Sequence, residues 1–262
     1  MAKPLILVVN DDGITSHGIR TLIEVAKELG NVLVVAPDSP QSGMGHAITI
    51  GDTLRLDPND IYEGVEAYQC SGTPVDCVKL AKHYILKGKQ PDLVVSGINH
   101  GSNSSISVLY SGTMSAAIEA AIEGIPAIGF SLCDYSPMAE MKHIKEYVKQ
   151  IMVNVLQKGM EEGIALNVNF PAYSATRPIK GIKICRQALS KWEEIFEERK
   201  DPHGRRYFWM SGSFENEDKG EDTDEVALAN DYISIVPCSY DMTAHLSISR
   251  LKKDFSFKDL II

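Results

Sequence analysis

A buried strand that ends in two adjacent carboxylates is the feature that most constrains this sequence. The stretch ILVVNDDGI begins with four apolar residues, and Asn10, Asp11 and Asp12 follow them directly. A continuous apolar run of this kind is typical of a strand that helices cover on both faces, as in a parallel sheet. Two neighbouring carboxylates repel each other, so the pair needs a positive charge nearby.

The first 130 residues alternate between strand-like and helix-like patterns. After the first strand, apolar residues at helical spacing lie between Ser16, a candidate N-cap, and Gly30, a C-terminal stop. A later helix begins at Thr73 and Pro74, a capping hydroxyl followed by a residue without an amide hydrogen. The runs VLVV, DLVVSG and AIGF are further strands, so this rhythm predicts a doubly wound parallel sheet.

The rest of the sequence is predicted to extend the same α/β domain. The stretch DPHGRRYFWMSG indicates an irregular hairpin, and the acidic segment 215–225 indicates a solvated, mobile loop. We expect one α/β domain over 1–262, with the core in 1–185 and the hairpin, acidic loop and C-terminal extension in 186–262. The tail ends in FSFKDLII, which packs either on its own domain or on another copy of the chain. We expect the contact between subunits.

Charge and cysteine content exclude several classes of protein. Lys and Arg total 26 against 35 Asp and Glu, and a net charge of −9 disfavours binding to a DNA or RNA polymer. The five cysteines are widely spaced without a CxxC pair, as is usual for reduced thiols. No signal peptide is evident, and no apolar run reaches the roughly 20 residues of a membrane span. We therefore expect a cytoplasmic protein without membrane contact.

Oxygen-rich loops follow the predicted strands. In an open parallel sheet such loops converge on one crevice. The loops after the second strand and after DLVVSG would bring Asp38, Ser39, Gln41, Ser42, Gly43, Gly45, Ile98, Asn99, His100, Gly101 and Asn103 to Asp11 and Asp12. Carboxylate, hydroxyl and amide oxygens suit Mg²⁺ or Mn²⁺. An isolated Asp-Asp pair would more often cap a turn, but its position among these loops favours the metal site.

A second candidate site lies in YSGTMSAAIEAA. Ser111, Gly112 and Thr113 stand at the start of a helix, where free amides and the helix dipole favour an anion such as phosphate. The alternative is simple N-capping, which explains the same tripeptide in SGTPVD at 71–76. The glycines of GMGHAI give only a weak signal for a dinucleotide. The histidines at 17, 46, 100 and 245 receive no catalytic assignment.

Several motifs occur together in one order: NDDG, VVAPDSPQSGMGHAIT, SGTPVDCVKLA, PDLVVSGINHGSN and YSGTMSAAIEAAIEGIPAIGFS. They resemble the stationary-phase survival protein (SurE) family, a group of metal-dependent nucleoside-monophosphate phosphatases. DPHGRRYFWMSG and TDEVALANDYISIVPCSYDMT resemble later blocks of that family, so the resemblance covers nearly the whole chain. It implies a 5′-nucleotidase that releases nucleoside and phosphate, and leaves open the cleavage of 3′-monophosphates and polyphosphate.

The resemblance also implies the roles of individual residues. It assigns one divalent cation per subunit, Mg²⁺ or Mn²⁺, to Asp11, Asp12, Ser42 and Asn99. It assigns the phosphate to Asn103, Ser111, Gly112 and Thr113. We expect Asp12, in addition, to orient or deprotonate the attacking water, which makes it the candidate catalytic residue.

The family resemblance implies a Rossmann-like, three-layer α/β/α fold with a mostly parallel sheet. It also implies a homodimer or homotetramer in which the C-terminal hairpin and tail reach across to a partner. The stretch NSSIS at 103–107 departs from the family pattern, in which we expect a glycine near the middle.

Three alternatives belong to other classes. A signalling receiver domain also carries an acidic pair after its first strand, but here the later strand ends read SGIN and GFS and lack its acceptor Asp and its Lys. A dinucleotide-dependent oxidoreductase would need a more complete glycine pattern. A metal-stabilised protein that binds nucleotides without hydrolysing them stays open.

Overall fold

The computed structural model describes residues 3–255. Within that range the strands are β1 (Leu5–Val9), β2 (Asn31–Pro37), β3 (Leu56–Pro58), β4 (Glu66–Cys70), β5 (Leu93–His100), β6 (Ala127–Leu132), β7 (Ile164–Phe170), β8 (Gly181–Ile184), β9 (Ser190–Lys200), β10 (Arg206–Asn216) and β11 (Tyr232–Ser239). The α-helices are α1 (His17–Leu29), α2 (Pro74–Leu80), α3 (Gly112–Ile122), α4 (Lys145–Lys158), α5 (Asp224–Ala229) and α6 (His245–Asp254). A 3₁₀ segment, Ser105–Tyr110, precedes α3.

Local signals fix where the first helices begin and end. The Ser16 hydroxyl accepts a hydrogen bond from the amide of Ile19, and the Gly30 amide closes α1 on the Ala26 carbonyl. Thr73 and Asp76 form a reciprocal capping box at the start of α2, directly before and within its first turn. These helix boundaries confirm those predicted from the sequence.

The main sheet has the strand order β3-β4-β2-β1-β5-β6-β7-β11-β8. Strands β4, β2, β1, β5, β6 and β7 run parallel to their neighbours in that series, while β3 pairs antiparallel with β4 and β11 antiparallel with β7. Because β1 lies between β2 and β5, the chain winds outward in both directions from β1. The predicted doubly wound, mostly parallel sheet is confirmed.

Helices cover both faces of this sheet. Along β1, Ile6 and Val8 pack with α1 and α4 in one apolar cluster, whereas Leu7 and Val9 pack with α2 and α3 in another. Alternate side chains of a strand point to opposite faces, so both sets are buried and the run is continuously apolar. The three layers confirm the Rossmann-like α/β/α architecture. None of the helices described between residues 3 and 255 is long and apolar enough to span a membrane.

The hairpin is more regular than the sequence indicated. Strands β9 and β10 pair over 11 residues each, from Ser190 opposite Asn216 to Lys200 opposite Arg206, as a separate two-stranded ribbon. In the sequence, charged residues hide the alternation of apolar and polar side chains that would have identified these two strands. Of the tail FSFKDLII, only Phe255 lies within the described residues, so its contact with another subunit stays a prediction.

The acidic segment 215–225 differs from the expected solvated loop. Its first two residues belong to β10, and its last two begin α5. Arg186 forms ion pairs with Asp218 and Asp222. The fully buried carboxylate of Asp224 accepts hydrogen bonds from the amides of Ser105, at 2.7 Å, and Ala188, at 2.9 Å. These long-range partners turn an acidic run into a structural connection to the core.

Candidate active site

The candidate site lies where the sheet reverses its winding. The chain leaves β1 towards β2 on one side, and β5 lies on the other, so the loops after β1 and β5 diverge and leave a crevice between them. A cleft of about 280 Å³ opens there. It is lined by Asp11, Ser42, Gly43, Asn99, His100, Gly101, Ser102, Asn103, Ser107, Tyr110, Ser111, Tyr135 and Trp192.

Asp11 is a buried carboxylate at the floor of this cleft. Its side chain accepts a hydrogen bond from the Thr113 hydroxyl, and only 4% of the residue is exposed. Burial raises the pKa of Asp11 to about 6, the neighbouring charge of Asp12 adds to the increase, and the hydrogen bonds from Thr113 oppose it. The folded protein therefore holds a carboxylate whose negative charge is incompletely compensated, which is the environment that a bound cation relieves.

Asp12 is oriented by His100, a partner that the sequence did not identify. Nδ1 of His100 lies 2.9 Å from Oδ2 of Asp12, across 88 positions of sequence. Among the described residues, Nε2 of His100 is buried without a hydrogen-bond partner. The position of His100 directly after Asn99 in a strand-end loop was the one available signal.

Ser42 reaches the cleft from the loop after β2, and Asn99 reaches it from the last residues of β5 rather than from the loop expected from the sequence. The amide of Gln41 donates to the Asp11 carbonyl at 2.8 Å, which draws the Ser42 loop against the end of β1. The side-chain amide of Asn99 donates to the Gly101 carbonyl at 2.9 Å, so its carbonyl oxygen is left to accept or to ligate. The pairing of β5 with β6 shifts in register between Ser96 and Asn99, and this irregularity changes the direction of the side chains at the end of β5.

Of the four predicted phosphate-binding residues, two line the cleft and two lie against Asp11. The Ser111 hydroxyl caps α3 by accepting from the Met114 amide at 3.0 Å, which is the capping alternative. A Cβ on Gly112 would lie 2.7 Å from Cβ of Asp11, so the start of α3 lies directly against that carboxylate. Thr113 also contacts Asp11. Asn103 and Ser111 line the cleft itself.

Asn103 belongs to a buried amide network. Its side-chain amide donates to the Ser131 hydroxyl at 2.8 Å, and its backbone amide donates to Oδ1 of Asn169 at 2.8 Å. Asn167 in turn donates to the Asn103 carbonyl at 2.8 Å. The asparagines of β7 thus fix the loop after β5, and nothing in the local pattern ALNVNF distinguished them from ordinary strand residues.

Ser105 takes the place where the family pattern leads us to expect a glycine. Its φ is 52°, in the left-handed region that glycine adopts without strain. The Ser105 amide donates to Asp224, and its hydroxyl donates to the Ala188 carbonyl at 2.7 Å and contacts the Ser190 hydroxyl. These contacts hold the left-handed conformation without a glycine and tie the hairpin base to the cleft.

The donors brought together are two carboxylates and several neutral oxygens. In residues 3–255, no group of three or more His, Cys, Asp or Glu side chains is placed to hold a metal ion. This composition does not suit zinc, which prefers three or four nitrogen and sulfur ligands. It fits a hard cation that binds through one or two carboxylates and retains water ligands.

Comparison with known proteins identifies relatives of this chain. The family model described as "Survival protein SurE" matches residues 6–194. The 5′-nucleotidase SurE of Cytophaga hutchinsonii is 72% identical over 98% of this chain and 99% of its own length. That of Flavobacterium psychrophilum is 62% identical over 96% of this chain and 97% of its own. The crystal structure of the SurE protein from Aquifex aeolicus superimposes with a TM-score of 0.81 and 38% identity, covering 95% of this chain and 99% of that one.

Proposed function

The chain belongs to the survival protein SurE family, and from that premise we propose how its cleft hydrolyses nucleoside monophosphates with the help of a metal. The protein is a 5′-nucleotidase, a phosphoric monoester hydrolase, as its relatives of high identity along nearly the full chain are named. The observation that carries the proposed mechanism is the buried Asp11 beside Asp12 at the reversal point of the sheet.

The proposed metal site consists of Asp11, Asp12, Ser42 and Asn99, with one Mg²⁺ or Mn²⁺ per subunit. Its support is the incompletely compensated charge of Asp11 and the free carbonyl oxygen of Asn99. A cation held by these oxygens would supply positive charge to the substrate phosphate and would lower the pKa of a bound water molecule.

The chain's own groups position the substrate and the water. The proposed phosphate site combines Asn103 with Ser111, Gly112 and Thr113 at the start of α3, at the positive end of the helix dipole. The Ser111 amide donates to the Val108 carbonyl at 3.4 Å, so the backbone amides proposed for the phosphate are those of Gly112 and Thr113. Those amides stabilise charge that accumulates on the phosphate oxygens in the transition state. Asp12, held by His100, orients the water or accepts its proton.

Phosphate release tests the proposal directly. Metal-stripped protein is assayed with a panel of 5′- and 3′-nucleoside monophosphates and short polyphosphate, and again after Mg²⁺ or Mn²⁺ is restored. We expect release from 5′-monophosphates only after metal is restored. Nucleotide binding by folded protein without phosphate release under any metal would instead support the alternative of a non-hydrolytic binding protein.

Replacement of Asp11 tests whether its negative charge is uncompensated in the metal-free protein, and it does so without measuring catalysis. Because the pKa of Asp11 rises from 3.8 to about 6 on folding, metal-free protein loses stability as pH rises through that interval, by about 3 kcal/mol in total. At pH 7.5 we expect metal-free Asp11→Asn to melt about 6 °C above metal-free wild type. Added Mg²⁺ or Mn²⁺ should raise the melting temperature of the wild type but not of the variant.

The control for this measurement is Asp57→Asn, an exposed aspartate on the edge strand β3. It should leave both the metal-free melting temperature and the metal-induced shift as in wild type. An Asp11→Asn variant that still gains stability from the metal would show that the cation binds elsewhere.

We further propose that the protein is a homodimer or homotetramer assembled through the β9–β10 ribbon. The cross-strand register places Phe196, Phe208 and Met210 on one ribbon face, and Ile195 and Trp209 on the other. All five are more than half exposed in the single chain. An isolated two-stranded ribbon is marginally stable in water, so partner contacts on these faces would account for its length.

Charges on the ribbon are expected to break the assembly. Phe208→Glu combined with Met210→Glu should yield a monomer of 28.8 kDa in size-exclusion chromatography with light scattering, because the interface would have to bury two carboxylates. Met138→Glu, an equally exposed apolar position away from the ribbon, is the control and should leave the wild-type mass unchanged. A monomeric wild type, or a variant of unchanged mass, would contradict this proposal.

A further inference from the structure

Three aromatic side chains line the cleft that contains the Asp11 carboxylate. Tyr110 ends the 3₁₀ segment directly before Ser111, Tyr135 lies in the loop after β6, and Trp192 lies near the base of β9. Tyr135 is 73% exposed, Tyr110 55% and Trp192 37%. The metal and phosphate assignments use none of these rings.

Tyr135 is held against the segment that joins Asn99, at the end of β5, to Asn103. A Cβ on Gly101 would lie 2.5 Å from Cε1 of Tyr135, so the ring lies directly on the Gly101 backbone. Gly101 also has φ +105°, a conformation that side-chain-bearing residues rarely adopt. A side chain at position 101 would overlap the Tyr135 ring, so glycine at this position allows the ring to lie in the cleft.

Trp192 is held by contacts within the β9–β10 ribbon. Its ring packs edge-on against Phe214, its cross-strand partner, with 5.5 Å between the ring centroids. The base of the ribbon is tied to the 3₁₀ segment by the hydrogen bond from Ser105 to the Ala188 carbonyl. The indole is thus positioned by a ring contact that does not depend on a ligand, on a ribbon whose base is itself fixed to the 3₁₀ segment.

We propose that Tyr135 and Trp192, with Tyr110 beside them, form the surface that binds the nucleobase of the substrate. This inference rests on the proposed function, since it places the phosphate at Asn103 and Ser111 and the base against the aromatic rings of the same cleft. Flat aromatic rings in a cleft that also holds the Asp11 carboxylate match a ligand that has a charged end and a flat, weakly polar end.

Recognition by stacking has a consequence for specificity. Every nucleobase presents a π-face, so stacking tolerates all bases, and its strength follows the area of the ring system. We expect purine monophosphates to be cleaved with a higher kcat/KM than pyrimidine monophosphates, and the difference to shrink when a ring is removed.

The kinetic test compares a substrate that has a base with one that lacks it. We measure kcat/KM for adenosine 5′-monophosphate and for ribose 5-phosphate in wild type, Tyr135→Ala and Trp192→Ala. In each variant the ratio of the two values should fall about tenfold, mainly through KM for the nucleotide. Tyr84→Ala, which removes a similarly exposed tyrosine outside the cleft, should leave the ratio unchanged. Equal losses for both substrates, or an unchanged ratio in both variants, would overturn the inference.

A binding measurement separates this inference from the proposed hydrolysis. The chain has two tryptophans, Trp192 and Trp209, so adenosine stacked on Trp192 should quench part of the intrinsic fluorescence. Quenching should persist in Trp209→Phe and disappear in Trp192→Phe. If wild type releases no phosphate but adenosine quenches Trp192, the proposed function fails and the base site stands. If phosphate is released and no quenching occurs, the base site fails alone.

Discussion

Asp12→Asn is expected to lower kcat for phosphate release by about 10³-fold at saturating Mg²⁺ or Mn²⁺. Asparagine keeps the shape of the side chain and can still accept a hydrogen bond from His100, so the fold should be preserved. It cannot supply a second negative charge to a cation, and it cannot accept the proton of a water molecule. The measurement is kcat as a function of metal concentration in wild type and variant.

The metal titration distinguishes the two roles proposed for Asp12. If the carboxylate served only as a ligand, excess metal would restore most of the activity. If it also orients or deprotonates the water, the loss persists at saturation, which is the expected result. Asp57→Asn is again the matched control, with wild-type kcat. Full activity of Asp12→Asn at saturating metal would remove Asp12 from the catalytic site.

Gly112→Ala is expected to lower kcat/KM by about 10²-fold while the protein stays folded. The new methyl group would lie 2.7 Å from Cβ and 3.0 Å from Oδ2 of Asp11, so either the carboxylate or the first turn of α3 must move. Both carry proposed ligands. Alanine is otherwise favoured over glycine in a helix by about 0.5–1 kcal/mol, which offsets part of the steric cost in stability.

Gly51→Ala controls for the loss of a glycine in general. A Cβ there would meet nothing within 4 Å, so we expect wild-type activity and stability. For Gly112→Ala, melting temperature and kcat/KM are measured on the same preparation. A variant that melts normally and cleaves nucleotides at the wild-type rate would show that contact between α3 and Asp11 is not needed for catalysis.

Helix boundaries were predictable because their causes are local. The hydroxyls of Ser16 and Thr73 satisfy amides within three residues, and Gly30 ends α1 through a bond to Ala26. Such signals operate over a single turn, so the sequence displays them directly. The same holds for β1, whose unbroken apolar run requires cover on both faces.

The ribbon and the acidic segment were predicted less well because distant partners define them. Cross-strand pairing gives β9 its regularity, while its glutamates at 193, 194, 197 and 198 conceal any alternation. Asp224 is buried because the amides of Ser105 and Ala188 satisfy its charge. An acidic run with few apolar residues otherwise predicts a solvated loop.

By itself, the sequence determined the alternation of strands and helices along the core and the oxygen-rich chemistry of the segments that follow the strands. Only the tertiary structure decided which of those groups meet: Thr113 with Asp11 across 102 positions, His100 with Asp12 across 88, and Tyr135 with Trp192 at one cleft. The physical reason is that helix caps and strand periodicity arise from neighbouring residues, whereas strand order and register arise from pairing between distant segments.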